Sequence, residues 1–179
     1  PALEKKHGKY FLRFSFEEKV ALSDTPINEQ KICSVDLGIN TDAVCSIMCA
    51  DGTILARKFI NFTSDKDQVY TVLNRIKRFQ REHGSKDVGS LWRYAARLNE
   101  EHAIKVANAI VSFATEHFVH CIVFEHLSMN GKKCGSRKQR LQIWRKNYIQ
   151  EVVTHKAHRL GMRISRICAW KTSRLAFDG

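Results

Sequence analysis

Hydrophobic residues alternate with polar ones over the first third of the chain, as they do in β-strands. Residues 9–17, "KYFLRFSFE", place Tyr10, Leu12, Phe14 and Phe16 on one side, which predicts a strand with one apolar face. After a connection, three further strands are predicted at about 32–37, 43–49 and 53–60. The "ADGT" that separates the last two carries the Asp-Gly pair of a tight hairpin turn. These three strands are therefore expected to form a meander.

Helical periodicity replaces this alternation after the third of these strands. Hydrophobic residues recur every three or four positions between Val69 and Phe79, and Gly84 is placed to end that helix. The remaining elements are predicted in the order helix, strand, helix, strand, at about 88–117, 120–127, 141–160 and 162–168. Strands that are joined partly by hairpins and partly by helices predict an α/β fold, with a mixed β-sheet and helices packed on it.

Two of the predicted strands are almost wholly apolar and end in an acidic residue. Asp36 follows "ICSV", and Glu125 follows "CIVF". If these strands are adjacent and parallel, the two carboxylates lie side by side at one edge of the sheet, where α/β folds gather their ligand sites. Neighbouring carboxylates repel each other, and a divalent cation such as Mg²⁺ or Mn²⁺ relieves that repulsion. Asp36 and Glu125 are therefore candidate ligands of a metal pair that cleaves a phosphodiester.

Each acid also has an ordinary structural interpretation. Asp36 is a candidate cap of the turn at Gly38, and Glu125 is a candidate ion-pair partner of a basic neighbour. For either acid alone this interpretation is as good as the metal site, whereas the two together favour the metal. Gly38 has two interpretations as well, because a missing side chain permits either a tight bend or the close approach of a phosphate.

The charge of the chain favours a polyanionic partner. Its 179 residues include 30 Lys and Arg against 18 Asp and Glu, a formal net charge of +12. Such a surplus favours nucleic acid as the partner, with a solvated basic surface as the ordinary alternative. No apolar run is long enough to cross a membrane.

The cysteines predict core packing rather than a metal site. The six of them form no CxxC pair, so neither zinc nor a disulfide framework is expected from them. A reducing cytoplasm is the compartment that fits this usage. Four cysteines fall in apolar strands and are expected to behave as small core residues, namely Cys33, Cys45, Cys121 and Cys168.

Basic residues are densest between Glu125 and the helix that follows it. They are Lys132, Lys133, Arg137, Lys138, Arg140, Arg145 and Lys146. Charge of this density suits contacts with the phosphates of a nucleic acid. Trp144 and Tyr148 lie in the same segment, but their helical spacing makes core packing the better interpretation for them. A second basic segment, 74–86, is explained equally well by a solvated helix face and by contacts with a nucleic-acid duplex.

Several of these motifs, in this order, resemble one nuclease family. "SVDLGINTDAVCSIMCADGTI" is similar to the first RuvC motif of the transposon-encoded TnpB proteins and the type V CRISPR effectors, and "CIVFEHL" is similar to their second. "RLNEEHAIKVANAIVSFA" resembles the helical segment before the second motif, and "AWKTSRLAFDG" resembles the segment after it. The resemblance covers about residues 30–179. "KYFLRFSFE" in turn resembles the last strand of the β-barrel domain that precedes the RuvC domain in these proteins.

The resemblance implies an RNase H-like (RuvC) fold over residues 31–179, with a helical insertion between the first two catalytic motifs. Residues 1–30 are then the end of a β-barrel-like domain and a connection. The implied activity is RNA-guided DNA cleavage, with guide RNA and target DNA as partners. Asp36 and Glu125 match the first two catalytic acids, which hold two Mg²⁺ or Mn²⁺ ions. Arg174, in the Thr-Ser-Arg of the last segment, joins the predicted nucleic-acid contacts.

The resemblance is incomplete at the end of the sequence. No residue here matches the third catalytic aspartate of the family or the cysteines of its zinc ribbon. We therefore expect this sequence to be part of a longer protein, and we expect the 179-residue chain by itself to cleave DNA poorly.

Two other functions stay open. A member of the same family without nuclease activity would bind DNA under RNA guidance and leave it uncut. Actin-like and sugar-kinase ATPases also begin an RNase H-like sheet with an acid-glycine hairpin, but a strand-end acid such as Glu125 is not part of their pattern.

Overall fold

A computed structural model of the protein describes residues 1–6, 8–84, 88–126 and 144–168. Two short strands, β1 (Ala2–Lys6) and β2 (Lys9–Arg13), form an antiparallel hairpin that is separate from the main sheet. The main sheet and its helices comprise β3 (Lys31–Leu37), β4 (Ala43–Cys49), β5 (Ile54–Ile60), α1 (Thr63–His83), α2 (Gly89–Glu116), β6 (Cys121–His126), α3 (Lys146–Arg159) and β7 (Arg163–Cys168).

The strands of the main sheet lie in the order β5-β4-β3-β6-β7. β3, β4 and β5 are antiparallel neighbours, as the predicted meander requires. β6 runs parallel to β3, and β7 runs parallel to β6. Parallel neighbours need long crossovers, which α1 and α2 provide before β6 and α3 provides before β7. A mixed sheet in this order with helical crossovers is an RNase H-like α/β fold, so the predicted fold class and helical insertion are confirmed.

The helices bury one face of this sheet. On β3, Cys33 and Val35 are 0% and 2% exposed, and on β6 both Ile122 and Phe124 are 0% exposed. These residues belong to one core cluster together with the apolar sides of α2 and α3. Full burial of a side chain such as that of Phe124 contributes about 1.5–3 kcal/mol to stability. The intervening residues of each strand therefore face the other side of the sheet.

A second, smaller core joins α1 to α2. Val69, Leu73 and Ile76 are buried on α1 at the predicted helical spacing, and Ala95 is their buried neighbour on α2. α1 ends at Gly84, as predicted, where φ is +73°. Within the described ranges, none of the helices combines the length and the apolarity that crossing a membrane requires.

The strand predicted over 9–17 is shorter than expected and its apolar face is not buried. It ends at Arg13, and Tyr10, Leu12 and Phe14 are 66%, 57% and 67% exposed. Its partner β1 has little alternation of its own, because Leu3 is its one large apolar residue, and the sequence pattern did not reveal it. The alternation of apolar and polar residues thus predicted a strand correctly, but it carried no information about whether other parts of the protein cover that strand.

The cysteine prediction is correct for two of four residues. Cys33 and Cys45 are 0% exposed in the core, Cys121 is half-buried, and Cys168 is exposed. Cys168 is the last residue of β7, which lies at the edge of the sheet. The prediction was wrong for Cys168 because a strand pattern does not distinguish a central strand from an edge strand.

Candidate active site

The two predicted acids lie at the same end of two neighbouring strands. β3 and β6 are parallel, and the last pair in their register joins Val35 to Phe124. Asp36 and Glu125 are the next residue in each strand, so they occupy equivalent positions on strands that are about 4.8 Å apart. The prediction that these two strands are adjacent and parallel is confirmed, and the two acids are brought together as it required.

Both acids belong to the face of the sheet opposite the main core. Asp36 is exposed and Glu125 is half-buried, whereas the residues just before them, Val35 and Phe124, lie in the core. Successive side chains of a strand point to opposite faces, which accounts for this difference. Among the described residues, no group of three or more His, Cys, Asp or Glu converges on one point. Two carboxylates at an accessible edge are oxygen donors of the kind that Mg²⁺ and Mn²⁺ prefer.

A buried lysine lies within electrostatic reach of Glu125. Lys146, the first residue of α3, is 7% exposed. Burial lowers the pKa of its ammonium group; the negative charge of Glu125 acts against that change, and the positive charge of Arg166 adds to it. The side chain of Lys146 is thus buried, and its contact with a phosphate stays a prediction. Glu125 has the basic neighbour that its ordinary interpretation expected, and Lys146 offsets part of the negative charge of the acid pair.

Gly38 lets the chain turn sharply at the end of β3, two residues after Asp36. Its N–H donates to the carbonyl of Asp42 at 3.3 Å, which closes the loop between β3 and β4. A Cβ atom at this position would lie 2.7 Å from the carbonyl oxygen of Thr41, which is too close for any side chain. Of the two interpretations of Gly38, the tight bend thus has direct structural support.

We expect Gly38→Ala to destabilise the protein, because the new Cβ forces the backbone of the β3–β4 loop to move. The expected loss is about 1–3 kcal/mol, measured as a lower urea midpoint with an unchanged slope. Gly89→Ala is the matched control. Nothing lies within 4 Å of a Cβ built at Gly89, so this change is expected to stabilise by about 0.4–1 kcal/mol. Equal midpoints for the two variants would contradict the steric explanation.

A buried carboxylate that the sequence analysis did not identify anchors the same loop. Asp42 is 4% exposed, and its Oδ2 accepts a hydrogen bond from the N–H of Phe62 at 2.7 Å. Lys66 Nζ, on α1, lies 3.3 Å from Oδ1, and His102 Nε2, on α2, lies 3.3 Å from Oδ2. The Nε2 of His102 is buried against this carboxylate. Asp42 thereby ties the loop after Asp36 to both helices of the insertion.

The surroundings of Asp42 favour its ionised form. Burial by itself raises the pKa of the carboxyl group, but the contacts with His102, Phe62 and Lys66 act in the opposite direction and lower the pKa below its usual value. The burial of Asp42 could not be predicted from its neighbours in the sequence, because Asp42 follows Thr41 in a polar loop and its partners come from three other segments. The one available signal was an acid placed directly before the apolar strand β4.

Most of the predicted nucleic-acid contacts lie outside the described residues, namely Lys132, Lys133, Arg137, Lys138, Arg140 and Arg174. Arg145 is described: it is half-buried, and its guanidinium carbon lies 5.7 Å from the centre of the Tyr148 ring. Trp144 and Tyr148 pack against the main core, as predicted. In the second basic segment, Arg75, Lys77 and Arg81 are exposed. Exposure is expected both for a solvated helix face and for contacts with a nucleic-acid duplex, so it does not distinguish the two.

These observations define the class of protein: an RNase H-like domain with two acids side by side at one edge of its sheet. Two solved structures share its fold. A chain of a Cas12f1–sgRNA–target DNA complex matches with a TM-score of 0.62 and 19% identity, over 86% of this chain and 39% of that one. A chain of a CRISPR-Cas12f ternary complex matches with a TM-score of 0.65 and 19% identity, over 90% of this chain and 33% of that one.

These comparisons confirm the resemblance to type V effectors at the level of the fold. A structure of Thermus thermophilus RuvC aligns with a TM-score of 0.41 and 8% identity, over 83% of this chain and 74% of that one, a score below the level that establishes a common fold. No protein-family model and no curated protein matches the sequence. The chain spans 39% and 33% of the lengths of the two Cas12f chains that it matches.

Proposed function

We propose that this chain is the RuvC-type nuclease domain of an RNA-guided, DNA-cleaving protein of the TnpB and type V effector kind. The observation that carries the proposal is the placement of Asp36 and Glu125 at equivalent positions on the parallel strands β3 and β6. An RNase H-like fold by itself serves several chemistries. A pair of accessible carboxylates at the strand ends, in a chain with a net charge of +12, favours metal-dependent hydrolysis of a polyanion.

In this proposal Asp36 and Glu125 would hold two Mg²⁺ or Mn²⁺ ions, and the chemistry that such ions would supply is activation of water and stabilisation of the leaving oxygen of a phosphodiester. The residues of the chain supply the geometry. Each carboxylate projects from a strand fixed by the buried residue before it, Val35 or Phe124, so the two donors need little reorganisation on binding. Asp42 and Gly38 hold the loop that follows Asp36, and Lys146 reduces the repulsion that Glu125 exerts on its neighbour.

Guide RNA and target DNA are the proposed partners. The matched Cas12f1 structure contains sgRNA and target DNA, and the basic surplus of this chain suits such ligands. We assign the phosphate contacts to Arg145 and to the predicted residues outside the described ranges, Lys132, Lys133, Arg137, Lys138, Arg140 and Arg174.

Binding of Mn²⁺ by the chain tests the metal site separately from catalysis. We expect Asp36→Asn and Glu125→Gln each to weaken Mn²⁺ binding about tenfold or more, since each removes one charged donor of the site. Electron paramagnetic resonance of free Mn²⁺ during a titration measures this. Asp51→Asn is the control, because Asp51 is exposed at the β4–β5 turn, at the other end of the sheet. Unchanged binding in both acid variants would refute the metal site.

Cleavage by the full-length protein then separates the proposed function from its alternative. Guide-directed cutting that stops when Mg²⁺ is chelated supports the nuclease. Guide-directed binding without cutting, at Mg²⁺ concentrations that load the site, would instead support a DNA-binding member of the family that lacks nuclease activity.

A further inference from the structure

The helices α1 and α2 extend past the main sheet at the end that carries the two acids. Lys66 on α1 and His102 on α2 both lie 3.3 Å from the carboxylate of Asp42, in the loop that follows β3. The residues of α2 that pack in the main core begin only at Ala103. Before that level α2 runs back to Gly89, which is about 20 Å of helix. The paired helices therefore project from the acid end of the sheet.

The outer part of this projection, residues 74–84 and 88–98, is strongly basic, and we call it the hairpin tip. Its exposed Lys and Arg residues are Arg75, Lys77, Arg78, Arg81, Arg93 and Arg97. The acid in these described ranges is Glu82, and it is paired with Arg78 at 3.0 Å. A solvated helix face typically mixes both signs of charge, so this excess of one sign favours a polyanion as the partner of the tip.

Three of these basic side chains are available for phosphates. The ion pairs found among the described residues engage Arg78 and Arg97, but not Lys77, Arg81 or Arg93. Lys77 and Arg81 are about one helical turn apart and so share one side of α1. A surface of this kind can contact successive phosphates of one strand.

Aromatic side chains lie exposed among these charges. Trp92 and Tyr94 are 42% and 44% exposed, and the guanidinium carbon of Arg97 lies 5.4 Å from the centre of the Tyr94 ring. The small core between α1 and α2 is formed by other residues, including Leu73 and Ile76. Basic side chains interspersed with exposed aromatic rings are typical of surfaces that bind single-stranded nucleic acid, whose unpaired bases stack on the rings.

We propose that the hairpin tip binds single-stranded DNA, namely an unpaired part of the strand whose cleavage is proposed for the two acids. The inference rests on the proposed function for the identity of that strand. It goes further by assigning the strand a second binding surface, with Lys77, Arg81 and Arg93 as phosphate contacts. Trp92 is the proposed stacking surface. A duplex fits this surface less well, because its bases are already stacked and paired.

Fluorescence of Trp92 tests the stacking. The chain has three tryptophans, at 92, 144 and 170, so the double variant Trp144→Phe, Trp170→Phe reports on Trp92 alone. We expect single-stranded oligothymidylate to quench this fluorescence, and an abasic deoxyribose-phosphate oligomer of equal length to leave it unchanged, because only bases stack on the ring. No quenching by oligothymidylate, or equal quenching by the abasic oligomer, would overturn the proposal.

Three further substitutions in the same background test the phosphate contacts, namely Lys77→Gln, Arg81→Gln and Arg93→Gln together. Glutamine has nearly the same helix propensity as lysine and arginine, so the helices are expected to stay folded. The midpoint of quenching should rise about tenfold or more at moderate salt. The slope of log K against log salt should become shallower by about two, since each contact with a single strand contributes about 0.7.

The matched control is the triple variant Lys5→Gln, Lys9→Gln, Lys19→Gln, which removes the same charge from exposed residues outside the hairpin tip. It is expected to raise the midpoint less than about threefold, because it changes only the long-range attraction. Equal rises for the two triple variants would attribute the binding to net charge and overturn the proposal.

Two other ligands test the identity of the strand. A DNA duplex of equal length that quenches Trp92 at lower concentration than oligothymidylate would overturn the single-stranded assignment, and oligouridylate that does so would overturn the assignment to DNA. The titrations contain EDTA, so they do not depend on the metal site. Failure of the Mn²⁺ experiment would count against the nuclease, and failure of the fluorescence experiment would count against the hairpin tip.

Discussion

Asp36→Asn and Glu125→Gln are each expected to reduce cleavage of target DNA by the full-length protein about a thousandfold, equivalent to about 4 kcal/mol of transition-state stabilisation. Both substitutions keep the size of the side chain and remove the charge that holds a divalent ion. Metal-ion stabilisation of the developing charge is worth several kcal/mol, so the loss of either ligand is expected to remove most of it. The two acids act on the same ions, and the double variant should therefore be little worse than either single one.

The measurement is the single-turnover rate of cleavage with the guide and target already bound. Binding of the target should change little, because neither acid is a proposed phosphate contact. Asp51→Asn again provides the control, since it removes a negative charge from an exposed turn and is expected to leave the rate unchanged. Full cleavage by either acid variant would refute the catalytic role of that residue. In the case of Glu125, the ion-pair interpretation would then be the one that remains.

Asp42→Ala is expected to be the most destabilising single substitution in this part of the structure. It leaves Lys66 Nζ and the N–H of Phe62 without the carboxylate that now contacts both. Removal of one partner from a buried ion pair costs about 3–5 kcal/mol. Asp65→Ala is the matched control, because Asp65 pairs with Lys105 and also joins α1 to α2, but Lys105 is 52% exposed. That change is expected to cost less than about 1 kcal/mol.

Urea unfolding of both variants measures this difference, and equal losses would contradict the role given to Asp42.

The same experiment at low pH tests the charge of Asp42. The pKa of Asp42 is lowered in the folded state, so its contribution is fully present above the unfolded pKa of about 3.9. It is lost as the pH falls through the lower folded pKa. The gap in stability between the wild type and Asp42→Ala should therefore narrow as the pH falls below about 4.

Local pattern was sufficient to predict most of the elements. The period of two in β3 and β4, and the apolar spacing of Val69 to Phe79 in α1, are properties of neighbouring residues, and the structure follows them closely. The exposed strand β2 shows the limit of the same signal. Its alternation predicted a strand correctly, but burial depends on what packs against the strand, which its own residues do not encode.

The site divides in the same way. The sequence by itself determined that Asp36 and Glu125 end apolar strands, because chain order and residue type are sufficient for that. Only the tertiary structure decided that these strands are parallel neighbours and that Asp42 is buried among Phe62, Lys66 and His102. The reason is physical: these features depend on contacts between residues far apart in the chain, and such contacts exist only once the helices have packed on the sheet.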